Sequence, residues 1–176
     1  MAHNDHAVYL TFDDGPIPEV TPWVLDVLDH YQVKATFFMV GDNVRKHPET
    51  FEQVKAAGHR LGNHTFNHIG GLRHSVHKYM LNVEKANAYI RTDLFRPPHG
   101  WMKWGQYIGV LQHHYKVIMS TRLNGRDVLR NVQRYTRNGS IITFHDSLKS
   151  QDKLLYALPR SIEWLQQQGY AFKVFD

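Results

Sequence analysis

Cysteine is absent from the 176 residues, which excludes disulfides, thiolate metal ligands and cysteine nucleophiles together. Long apolar runs are absent as well. None approaches the ~20 residues needed to cross a bilayer, so no transmembrane segment is expected. The start, MAHNDHAVYL, lacks the basic flank and apolar stretch of a secretory signal. A cytoplasmic location is therefore expected, or the cell envelope if an upstream segment precedes the chain. Charge of one sign is nowhere concentrated. The 21 Lys+Arg and 16 Asp+Glu give a net +5, but the basic residues are scattered, and neither zinc-finger spacing nor an RNA-binding aromatic signature occurs. No nucleic-acid partner is expected. With 42% hydrophobic residues and no linker or repeat, residues 1–176 read as one folded domain.

Histidine, in contrast, is plentiful, with 13 in the chain. It is the commonest metal ligand and the side chain that titrates nearest neutrality, so each one needs a place.

Short β-rich runs alternate with amphipathic ones. Strands are expected at 7–12, 35–40, 59–63, 94–95, 116–119, 140–144 and 170–175. Thr21-Pro22 has the form of an N-cap and first turn, Pro48 opens a second helix, and Val76 to Ile90 carries a third. Trp104–His114, Val128–Tyr135 and a last helix around Leu155, Leu158, Ile162 and Leu165 follow, the last kinked or restarted at Pro159. About seven strands alternating with helices imply a parallel sheet with helical crossovers. The pattern alone does not separate an open doubly wound sheet from a short barrel.

The chemically capable residues collect just after the strands: Asp13 and Asp14, His64 and His68, Arg96, and His145. In parallel α/β folds these strand ends share one rim, where active sites are built. Two histidines four apart on a strand would stand ~13 Å apart, whereas a helical turn brings such a pair to about 5–6 Å. His64 and His68 therefore chelate one ion only if the strand ends between them, and otherwise read as exposed turn residues. Adjacent carboxylates at a buried strand end repel and lose hydration, and a cation stabilises them. One can ligate a metal while its neighbour serves as a base toward water. Asp14, His64 and His68 then supply the three ligands of a catalytic site. An Asx turn into Gly15-Pro16, or a magnesium-binding acidic pocket of the receiver-domain kind, are the alternatives for the acidic pair.

TFDDGP at 11–16, NHTFNH at 63–68, RPPHG at 96–100 and ITFHD at 142–146 follow the order of motifs in the polysaccharide deacetylases. This is the NodB-homology family, also called carbohydrate esterase family 4, and the chain resembles it over nearly its whole length. The resemblance implies a short, distorted (β/α) barrel and metal-dependent removal of N-acetyl groups from an aminosugar polymer such as peptidoglycan or a chitin-like glycan. By motif, Asp13 matches the catalytic base, Asp14, His64 and His68 the metal ligands, Arg96 the residue that orients the base, and His145 the catalytic acid. One divalent ion is implied. Two imidazoles and a carboxylate suit zinc first, with cobalt, nickel, manganese or iron also compatible. A backbone N–H near His99 would meet the oxyanion, and Phe144 or Ile142 would either line an acetyl pocket or belong to the core.

Two departures stand out. Where the family's third motif ends in Tyr-Gly, this chain has His99-Gly100. The fourth motif, an Asp-Trp pair that orients the acid histidine and walls the acetyl pocket, is missing after KVIM at 116–119. Either the chain lacks it, or a short stretch after Met119 is missing from the sequence. A metal-binding module with impaired catalysis, and a hydrolase of a non-sugar amide, are therefore the rival readings. Trp101 and Trp104 would stack on sugar or pack in the core. Oligomeric state is not readable from the sequence.

Overall fold

A computed structural model describes residues 6–120 and 127–176. Strands β1 (Ala7–Asp13), β2 (Thr36–Met39), β3 (Arg60–Asn63), β4 (Leu94–Phe95), β5 (Lys116–Val117), β6 (Ile141–His145) and β7 (Ala171–Lys173) form one parallel sheet. Helices α1 (Thr21–His30), α2 (Gly41–Lys46), α3 (Pro48–Ala56), α4 (Val76–Ile90), α5 (Trp104–Gln112), α6 (Val128–Tyr135) and α7 (Gln151–Gln167) connect them.

The strand order is β5-β4-β3-β2-β1-β6. Because β6 occupies one edge of β1, β2 and β7 share the other, β7 along Ala7–Tyr9 and β2 along Thr11–Asp13. Among the described residues β5 and β6 each pair with a single neighbour, so the ring is not closed between them. The architecture is the short, distorted (β/α) barrel expected from the motifs. β1 is buried almost throughout, as a parallel strand covered on both faces should be. Its side chains join the main core, where Leu10 and Phe12 meet Phe37, Ile142 and residues of α1 and α7.

Three local expectations need revision. The last helix runs unbroken through Pro159 and starts at Gln151. Its buried face is Leu154, Leu158, Ile162 and Leu165, whereas Leu155 is exposed. That apolar face outweighs the single N–H that proline lacks. Thr21 is not a cap: Val20 takes that position, and Thr21 lies inside the helix with its hydroxyl turned to the barrel rim. Helix α2 is an addition, six residues with no apolar periodicity to announce it. The join after Met119, where the fourth motif would fall, runs into residues 121–126 and lies outside the described residues.

Candidate active site

The ends of β1, β3, β4 and β6 converge on one cavity of about 440 Å³, lined by Asp13, Asp14, His64, His68, Arg96, His99 and His145, among others. Asp13 and His145 are register partners across the β1–β6 pair, which sets the two side chains side by side at one rim. Asp13 is buried and His145 exposed.

Backbone geometry separates the two carboxylates. Asp14 sits at φ 87°, a conformation that L-residues seldom adopt, and its N–H bonds to the Phe38 carbonyl at 3.2 Å. His68 at φ 53° and His99 at φ 61° share this geometry. Such backbone strain concentrates where a fold fixes functional groups.

Strand β3 stops at Asn63 and the chain bends at Phe66–Asn67, between His64 and His68, so no strand holds the two rings apart. Their ring centroids are 5.0 Å apart. One ligand atom each from Asp14, His64 and His68 lie within 4.8 Å of one another. Asp14 Oδ1 faces His68 Nε2 at 3.3 Å and His64 Nε2 at 3.8 Å, and it is buried with no hydrogen-bond partner. His64 Nδ1 lies 2.7 Å from the Arg96 carbonyl oxygen. Donating there leaves the Nε2 lone pair directed at the cluster, as metal-ligating histidines require. Burial pushes the His64 imidazole below its usual range and so favours that neutral form. For Asp14, burial acts to raise the carboxyl, but the rings of His68, His64 and His145 prevail and hold it below the usual carboxylate range. The donor set therefore fits a divalent cation: an orphaned buried carboxylate oxygen beside two oriented imidazoles.

Arg96 is the largest fully buried side chain. From the end of β4 its guanidinium crosses the barrel. Nη1 donates to Asp13 Oδ1 at 2.6 Å and Thr11 Oγ1 at 2.8 Å, while Nε donates to the Ile118 carbonyl at 3.1 Å. Its plane lies over the Phe38 ring, 4.1 Å to the centroid. Residues of four strands or their flanks, β1, β2, β4 and β5, meet at this one guanidinium, and Asp13 is fixed in direction by a charge-assisted bond.

Phe144 does not reach the cavity. It is buried beside Phe12 in the core, and alternation along β6 points Thr143 and His145 inward instead. His99 lines the cavity with its ring edge-on to His68, centroids 4.8 Å apart.

The sequence reading missed Asp146. Fully buried behind His145, its Oδ1 accepts the Gly15 N–H at 3.1 Å and its Oδ2 the Thr21 hydroxyl at 2.7 Å. Its own N–H donates to the Asp13 carbonyl at 3.1 Å. A side chain at Gly15 would place Cβ 2.2 Å from that carboxylate, so glycine is required. Burial pushes the Asp146 carboxyl up to about 8. The residue locks the loop carrying Asp14 to the strand carrying His145. The signal was there: a third acidic residue in ITFHD, next to a candidate acid.

A barrel of parallel strands with a three-donor pocket at the strand ends is the arrangement that the motif resemblance implies. The family model for polysaccharide deacetylases matches residues 1–104. A peptidoglycan-N-acetylglucosamine deacetylase of Bacillus cereus is 31% identical over 98% of this chain and 87% of its own. A chitooligosaccharide deacetylase of a Bradyrhizobium species is 32% identical over 93% of this chain and 86% of its own. The Listeria monocytogenes peptidoglycan deacetylase PgdA is longer: the chain spans 39% of it, at 31% identity. Among solved structures, the Xyl-CE4 domain of a multidomain xylanase from the hindgut metagenome of Trinervitermes trinervoides superposes with a TM-score of 0.84, 29% identity, over 97% of this chain and 87% of that one. The chain belongs to the polysaccharide deacetylase family.

Proposed function

We propose that this protein is a metal-dependent N-deacetylase that hydrolyses acetamido groups on an N-acetylglucosamine glycan, with zinc the best-suited ion. The observation that carries this reading is the meeting, in one cavity, of the Asp14–His64–His68 donor set with the Asp13–Arg96 pair and His145. A cation held by the three ligands would polarise the acetyl carbonyl and make an attacking water more acidic.

The chain's own groups account for the rest. Asp13, held by Arg96 Nη1, takes the proton as water attacks. In keeping with the motif resemblance, a backbone N–H of the 96–100 loop near His99 would meet the developing oxyanion. His145, beside Asp13 on the rim, protonates the departing amine. The glycan preference of the relatives supplies the substrate class, whether peptidoglycan or chitooligosaccharide.

A second reading, a metal-binding relative with impaired catalysis, is favoured by one fact. Among the described residues no carboxylate hydrogen-bonds the His145 ring, so nothing there fixes its orientation.

The two readings part in a single assay. Protein stripped by a chelator is reloaded with zinc or cobalt, and acetate release from N-acetylglucosamine oligomers is followed. Release that vanishes on stripping and returns on reloading is the expected result. Metal uptake without release, in protein that remains folded, would point instead to the impaired module or to a hydrolase of a non-sugar amide.

A further inference from the structure

We propose that the Trp104 indole, with Trp101 and Tyr107 beside it, forms a stacking subsite for a pyranose unit of the same glycan chain, next to the unit being deacetylated. The inference rests on the glycan reading above and names where the flanking sugars go.

Trp23 and Trp164 pack against the main core. Trp101 and Trp104 do not: they are 57% and 74% exposed. Trp104 stands at the first position of α5, its ring 5.6 Å from that of Tyr107 and tilted by 32°. The helix anchors itself through Gln106 and Val110, so neither indole is needed to hold it. Exposed tryptophans in contact with a concave surface are a poor use of apolar area unless something covers them.

Beside them lies a cavity of about 570 Å³, walled by Trp101, Trp104, Tyr107, Val117 and Met119. It adjoins the candidate active site. Gly100 lines both cavities, and Ser120 on the catalytic wall follows Met119 on this one. No charged side chain lines it among the described residues, which argues against an acidic peptide or a phosphate backbone. The chemistry it offers is an apolar, aromatic wall with the Tyr107 hydroxyl as a polar tip. A pyranose ring, with C–H groups on its faces and hydroxyls at its rim, matches that wall. The volume falls in the usual range for small-molecule sites.

The test uses the zinc-loaded Asp13→Asn protein, to prevent turnover, and follows tryptophan fluorescence on titration with N-acetylchitobiose and N-acetylchitopentaose. The pentasaccharide is expected to bind more tightly than the disaccharide. Adding Trp104→Ala should weaken pentasaccharide binding by about tenfold, the scale of one lost aromatic contact, and so erase most of the length advantage. Trp104→Phe should restore part of it, and Tyr135→Ala, an exposed aromatic on α6, should leave it intact. Equal affinities with and without Trp104, or an equal loss from Tyr135→Ala, would overturn the subsite. So would sedimentation showing a dimer that Trp104→Ala dissociates, because the face would then bind a second copy. If wild type releases acetate while Trp104→Ala changes nothing, only the subsite fails. If no oligomer binds or is hydrolysed, the glycan reading fails with it.

Discussion

Arg96 shows how one residue serves both the fold and the chemistry. It is 1% exposed, carries a charge that cannot be given up, and reaches Asp13, Thr11 and the Ile118 carbonyl from the end of β4. Taking two charges out of water is costly, and only close hydrogen-bonded pairing offsets it. Arg96→Met keeps most of the volume but strands the Asp13 carboxylate. It should lower the unfolding free energy by about 3–5 kcal/mol, seen as a lower denaturant midpoint with little change in slope. An unchanged midpoint would mean the pair does not hold the barrel interior. The neighbouring residues divide in legibility. Asp13, Asp14, His64 and His68 were readable because carboxylate pairs and imidazole spacing carry chemistry in their residue types. Thr11, Thr143 and Thr21 were not, since a threonine on a strand or at a helix start has no distinctive pattern until a partner is known.

Elements were legible where periodicity was strong. The strands of the sheet and five of the helices fell close to where alternation and 3.6-residue spacing put them. α2 escaped because GDNVRK has no apolar stripe, and the start of α7 was placed too late because the stripe used Leu155 in place of Leu154. The junction of α3 and β3 supplies a prediction at this scale. His59 is buried there, against the Phe37 ring, and its Nδ1 accepts the Ala35 N–H at 3.2 Å. That contact needs an unprotonated nitrogen. Burial pushes the imidazole down to about 4 from an ordinary 6.5. The folded form thus binds fewer protons than the unfolded chain between these values, and the stabilisation is complete above about pH 6.5. It is lost as the pH falls from there to about 4. Thermal midpoints of metal-free protein should decline over that window, and His59→Gln, which keeps an acceptor without titrating, should flatten the decline. Parallel slopes for the two proteins would assign the acid sensitivity to other groups.

At the scale of the whole molecule, the barrel is a device for bringing distant sequence to one rim. Asp13 and His145 lie far apart in the chain, yet they are register partners. Composition and periodicity left an open sheet and a barrel undivided, because both satisfy the same alternation of strand and helix. The ordered motifs decided between them, and strand pairing then showed that among the described residues the ring is not closed between β5 and β6. Phe144 was undecided although alternation with His145 on β6 sets it on the opposite, core-facing side. The central claim is that this rim holds a cation on Asp14, His64 and His68 while Asp13 acts as the base. The most direct measurement is acetate release from N-acetylchitopentaose by zinc-loaded wild type and Asp13→Asn, with zinc content determined on both. One zinc per chain is expected in each, with a rate reduced by about 10²–10⁴ in the variant, the range of a lost general base. Equal rates in the two proteins, with zinc bound in both, would contradict it.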